Sequence, residues 1–173
     1  MYMNKLIALP IIAGIAVVAI YYASPLFINV TVDEPLPETM KDGAMKDQMM
    51  EKVAMDENAT KPMIVLMGNF VGAGDGIHNA EGVSKVVAIN DGQIEHRILR
   101  LENFKSTNGP DLYVYLSKDA RSIGDGYVDL GRLKGNVGNQ NYHIPDDVNL
   151  DEYSYVLIWC KQFSVLFGHA SLA

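Results

Sequence analysis

The stretch from Tyr153 to Leu172, YSYVLIWCKQFSVLFGHASL, constrains the fold more than any other part of the chain. Tyr155, Val156, Leu157, Ile158 and Trp159 form an unbroken run of strand formers, the pattern of a buried strand. Phe163, Val165 and Phe167 alternate with Ser164 and Leu166, which marks a second strand with one wetter face. If Lys161-Gln162 makes a tight turn, Cys160 lies opposite Phe163 on an apolar face shared with Ile158 and Val165. Lys-Gln lacks the Gly or Asn that such turns favour. A continuous or bulged strand is therefore equally compatible and puts Cys160 on one face with Gln162 and Ser164. Cys160 is the only cysteine and Trp159 the only tryptophan of the chain.

From Pro62 onward the pattern is one of short strand-forming runs separated by turn signals. Strands are expected over 64–71, 84–89, 93–101, 112–116, 127–133 and 140–144, ahead of the opening stretch. Asn90-Asp91-Gly92 is a strong hairpin signal. Asn108-Gly109-Pro110-Asp111 and Gly124-Asp125-Gly126 read as turns. No helical pattern of useful length appears. Roughly 110 residues with near-regular strand spacing predict an all-β head, an antiparallel β-sandwich or jelly roll, over 62–173.

The N-terminal part is of another kind. Leu6 to Ile28 carries no charge and is mostly Ile, Ala, Val and Leu. As a helix it spans about 34 Å, enough for a bilayer core of about 30 Å. Lys5 and the terminal amine precede it, and Asp33 and Glu34 follow, which places the N-terminus in the cytoplasm and the head outside. The alternative is a cleaved signal peptide, but cleavage after Ala23 leaves Tyr21 where a small residue is wanted. Residues 1–30 are therefore expected to be an uncleaved transmembrane signal anchor. Residues 31–61, with Pro35, Pro37, many charges and few aromatics, read as a flexible stalk. Its Met40, Met45, Met49, Met50 and Met55 suggest either a helix face that binds a partner or a soft Cu(I) site. Asn58-Ala59-Thr60 and Asn29-Val30-Thr31 match the glycosylation triplet.

The net charge is −7, and every charged side chain except Lys5 falls from Asp33 onward. That acidity argues against nucleic acid or anionic lipid as the main partner. One Cys makes no internal disulfide; a second chain, a ligand or core packing must account for it. His78, His96, His143 and His169 stand at no metal-ligand spacing along the chain, and no haem attachment motif occurs. His169, nine residues from Cys160, reaches an edge of the same sheet if the second strand continues past Gly168. Asp75, Asp111, Asp125 and Asp129 are loop carboxylates that suit Ca²⁺ but fit no EF-hand. Gly135 to Asn141, GNVGNQN, superficially resembles a phosphate loop. No Lys-Ser/Thr or helix follows it, so Gly and Asn in a positive-φ loop explain it better.

Several segments together resemble the DM13 domain family. They are Gly68-Asn69-Phe70, His78 with Ala80-Glu81-Gly82, and Leu101-Glu102-Asn103-Phe104. They continue through 108–117 (NGPDLYVYLS), Leu130-Gly131, 133–136 (LKGN) and 138–142 (GNQNY) with Ile144-Pro145. The last are Ile158-Trp159-Cys160, Phe163, Val165, Phe167-Gly168, Ala170 and Leu172. The resemblance covers about 64–173. It implies a β-rich extracytoplasmic module with a proposed role in electron transfer, its Cys acting as a bare thiol or as a ligand to a prosthetic group such as haem. On this chain that role maps onto Cys160 alone. A haem takes Cys or His as axial ligand, for which Cys160, His169, His143, His78 and His96 are the candidates, His169 the second choice, with Trp159 and His78 as neighbours. No catalytic set comes with the family, so a carrier or sensor is expected rather than an enzyme. The usual haem-binding DOMON or cytochrome neighbour is not part of this sequence. The rival expectation is a structural or adhesive surface module with Cys160 merely packed.

Overall fold

A computed structural model describes residues 14–15, 28–36, 62–90 and 95–173. Nine strands follow in chain order: β1 (Thr31–Asp33), β2 (Met63–Gly72), β3 (Ala80–Asn90), β4 (Glu95–Ser106), β5 (Leu112–Ser117), β6 (Tyr127–Arg132), β7 (Val137–Ile144), β8 (Tyr155–Cys160) and β9 (Val165–Ser171). The all-β expectation holds. The strands form one open, curled sheet in the order β1-β7-β4-β3-β2-β9-β8-β5-β6, rather than two separate sheets of a sandwich.

The curl has local causes. β2 pairs with β3 through Met63–Asn69 and then with β9 through Phe70–Gly72, so one strand belongs to both halves of the sheet. β4 carries one extra residue near Asn103, against Glu81–Val83 of β3 on one side and Gly138–Gln140 of β7 on the other. Asn103 at φ 48° takes up the extra residue, with Gly82 at φ 117° packed against it. Bulges bend a strand and increase its twist. Here the bulge turns Phe104 inward, where its ring meets Phe70 edge-on at 5.3 Å. One core results, drawn from both halves: Phe70, Val86, Leu99, Leu101 and Phe104 meet Val114, Leu116, Val156, Ile158 and Phe167. Removing one of these large side chains costs about 2–5 kcal/mol.

β4 is apolar on both faces because both are covered. Leu99 and Leu101 enter the main core, while Ile98 joins Val87 and Ile89 in a second cluster. This explains its lack of clean alternation in the sequence.

All strand pairs are antiparallel except β1–β7, which is parallel, with Val32 opposite Gly138. The first residues expected in the stalk are thus part of the sheet, and residues 34–62 connect two strands of that same sheet. Among the described residues no helix is long and apolar enough to cross a membrane. Nearly all of the apolar run 6–28 lies outside the described residues, as do the stalk methionines and Asn58.

Candidate functional site

Cys160 ends β8, which runs between β5 and β9 and is covered on both faces. It faces Leu112 on one side and Val165 on the other. Cys160 and Leu112 belong to the main core with Phe167, Val165 packs against it half-buried, and Cys160 is 1% exposed. The turn is longer than Lys161-Gln162. It takes Lys161–Ser164, with Ser164 at φ 54°. Cys160 therefore pairs with Val165 and not with Phe163, which is 63% exposed. The expected common face of Cys160, Ile158 and Val165 is present. The Lys161 amide donates to the Asp111 carbonyl at 2.9 Å, which ties the end of β8 to the Asn108–Asp111 turn.

Trp159 points to the other face, beside Leu157 and Tyr115. Tyr113, its partner across the pair, stands 5.9 Å from Tyr115, and Tyr115 stands 4.6 Å from Tyr127. The Tyr113, Tyr115 and Tyr127 rings make a continuous array that reaches the surface at Tyr127, and Trp159 packs in the same cluster. Burial, with a smaller contribution from Asp129, pushes the Tyr115 phenol well above the usual tyrosine range. The Lys161 ammonium lies 4.7 Å over the Tyr113 ring and 3.8 Å from Asp129. Its charge is thus on the aromatic face, away from the thiol.

His169 faces Leu157 across β8–β9 and so shares the aromatic face, while Cys160 lies on the inner one. The structure separates the two expected ligand candidates by the thickness of the sheet. His169 Nδ1 is buried with no hydrogen-bond partner among the described residues. Its pKa is lowered, first by burial and then by Arg121. Arg121 crosses from the β5–β6 loop to donate to the Ala73 carbonyl at 3.2 Å.

His78 lies in the β2–β3 loop. Asp75 Oδ1 accepts from the Ile77 and His78 amides at 2.9 and 2.8 Å, and Asp75 Oδ2 lies 2.5 Å from His78 Nδ1. These bonds, led by the His78 side chain, hold the Asp75 carboxyl well below the usual carboxylate range. The His78 ring packs 4.4 Å from that of Phe167 and so touches a core neighbour of Cys160. Two clefts open at this end of the sheet. One, of about 270 Å³, is lined by Ile28, Val30, Asn108–Leu112 and 132–136. The other, of about 500 Å³, is lined by His78, Asn79, Glu81, Lys105–Asn108 and Asn29.

Cys160 lines neither cleft; Leu112 stands between it and the smaller one. A haem or metal ligated by Cys160 therefore does not fit this packing. The loop aspartates do not converge either. Asp75 is taken by His78, Asp111 by Arg132 and Asp129 by Lys161.

Sequence reasoning missed the role of GNVGNQN. It is the start of β7, and its Asn side chains receive the N-terminal segment. Asn136 accepts from the Val30 amide at 2.7 Å and donates to Asn29 at 2.9 Å. Asn139 donates to Asp33 and Asn141 to the Pro35 carbonyl, at 2.7 and 2.8 Å. Glu34 adds a two-oxygen ion pair with Lys134, at 2.7 and 2.9 Å. The Asn spacing was visible, but nothing local could say what it held. The histidines were likewise judged along the chain, where 96 and 143 are far apart, yet β4–β7 pairing brings them together.

These features define a small all-β module with one buried thiol beneath two strand-end clefts. A family model described as Electron transfer DM13 matches residues 74–172. The chain belongs to the DM13 family. No curated protein and no solved structure matches it.

Proposed function

We propose that the chain is an electron-transfer module held at the outer face of a membrane, with Cys160 as its redox centre. The observation that carries this reading is the placement of the only thiol in the dry core, on the strand whose other face packs Trp159 in one cluster with the Tyr113–Tyr115–Tyr127 array. A buried thiol is closed to bulky disulfide partners; in this reading Cys160 gives up one electron, through Trp159 and the aromatic array to a membrane-bound oxidant, and its proton to solvent, leaving a thiyl radical. The family description, Electron transfer DM13, supports the same class of function. The anchor in this reading is the apolar run 6–28. Its last residue, Ile28, lines the smaller cleft. An anchored chain then turns the cleft end toward the bilayer, where a membrane-bound redox protein is the fitting partner.

The test uses the full-length protein purified from its membrane. Voltammetry of the immobilised protein should give a reversible response that is lost in Cys160→Ser and altered in Trp159→Phe. An unchanged response in Cys160→Ser would sink the proposal. A second reading is favoured by the 1% exposure of Cys160 among Leu112, Val165 and Phe167. In it the thiol is a core residue, and the clefts bind another surface protein or a glycan. Redox silence of the folded protein supports that reading.

A further inference from the structure

β4 and β7 run antiparallel, with Ile98 facing His143. Residues two apart on a strand share a face, so His96 lies diagonally from His143 on one surface. Asp146 follows Ile144-Pro145 at the end of β7. The imidazole nitrogens of His96 and His143 and a carboxylate oxygen of Asp146 all lie within 4.8 Å of one another. This cluster sits at the opposite end of β4 from Ser106, which lines the larger cleft, so it is separate from the Cys160 region.

The main chain of the cluster is held in place. Arg97 donates from Nη2 to the carbonyls of Pro145 and Asp146, at 3.0 and 2.8 Å. Register holds the two strands, and Arg97 holds the segment that carries the carboxylate. Around an ion about 2.0–2.1 Å from each donor, tetrahedral ligand atoms stand about 3.3 Å apart. The remaining gap is closed by side-chain rotation, for which the exposed His143 and Asp146 have room.

We propose that His96, His143 and Asp146 form a binding site for a divalent first-row transition ion, with Zn²⁺ the ion its donors suit. Two imidazoles and one carboxylate are a borderline nitrogen–oxygen set, poorly matched to Ca²⁺ or Mg²⁺, which want oxygen throughout. Three protein ligands leave a fourth position for water or a partner's side chain. A bound ion ties β4 to the segment after β7 and stabilises the fold that assembles it.

The test is a titration of the tag-free full-length protein, stripped of metal, with Zn²⁺ against a chromophoric competitor. One ion should bind per chain, and the thermal midpoint should rise with Zn²⁺. His96→Ala, His143→Ala and Asp146→Asn should each weaken binding by more than about tenfold, at least the effect seen when groups behind a metal's ligands are removed. His78→Ala, His169→Ala and Cys160→Ser should bind as the parent does. Thermal melts in chelator establish that each variant is folded, and Asp146→Asn keeps the side-chain shape should a His variant melt early. Absence of saturable binding overturns the proposal. So does binding that survives both His143→Ala and Asp146→Asn, or that is lost in Cys160→Ser.

Discussion

Gly138 and Val32 face each other across the parallel β7–β1 pair so closely that a Cβ on Gly138 would overlap the Val32 carbonyl oxygen. Gly138 also holds φ 111°, which side chains other than glycine's rarely adopt. Space and backbone conformation together make this glycine a requirement for the N-terminal segment to join the sheet.

Gly138→Ala should therefore detach β1 and leave the core intact. The expected cost is more than about 1 kcal/mol. Hydrogen exchange should show the amides of Val30, Glu34 and Val137 losing protection, since they donate to the Asn136 side chain, the Asn139 carbonyl and the Val30 carbonyl across the β1–β7 junction. The β8 amides should keep theirs. Uniform loss across the sheet would mean that the docked segment is integral to the core.

Cys160 should be silent to thiol reagents in the folded protein and titrate fully on unfolding, because it is 1% exposed. Cys160→Ala should be mildly destabilising, since Cys packs as a small hydrophobe. Cys160→Ser should cost more, about 1–3 kcal/mol, if the buried hydroxyl finds no partner. Denaturant midpoints of the two variants check the order. A native thiol that reacts at once would place Cys160 at the surface.

Acid should weaken the fold in two separate windows. Burial, and secondarily Arg121, lowers the folded pKa of His169. The unfolded chain then holds more protons, and stability falls as pH drops below about 6.5, the ordinary histidine value. Glu102 is also lowered, chiefly by its hydrogen bond to Lys85 and then, against the cost of burial, by Arg100. Its contribution is present above the ordinary carboxylate value and is lost at lower pH. His169→Gln should flatten the upper part of the stability–pH curve, and Glu102→Gln the lower. A curve unchanged by either variant would mean that other groups carry the acid sensitivity.

Arg100 links the same ion network to the docked segment. Its guanidinium donates to Glu102 at 2.7 Å, to Asn141 at 2.9 Å and to the Glu34 carbonyl at 3.0 Å. Arg100→Met should cost about 1–3 kcal/mol, because it leaves the Asn141 side chain and the Glu34 carbonyl without a donor while Glu102 keeps Lys85. Glu34→Gln, at the exposed end, should cost under about 1 kcal/mol. Urea unfolding of the two variants distinguishes these sizes.

Much of this molecule was legible along the chain. The run YVLIWC announced a doubly covered strand because each of its residues is a strand former, and the turn clusters at 108–111 and 124–126 punctuated the strands as expected. The segments quoted for the family resemblance lie almost wholly within the matched range 74–172. These features depend on local propensity, periodicity and residue order, which the sequence carries by itself.

What the tertiary structure decided depends on register and on contacts between distant segments. Alternation cannot say whether two groups of strands form separate sheets or share one strand, and here β2 joins them. A run of Asn and Gly cannot name the segment it will hold, and here that segment is about a hundred residues upstream. The faces of Cys160 and His169 followed from a bulge between Ile158 and Trp159 that shifts the β8–β9 register. A one-residue slip moves every following side chain to the other face of a sheet. The sequence by itself determined the kind of fold and the family, while the pairing of strands decided which of its chemically capable residues meet.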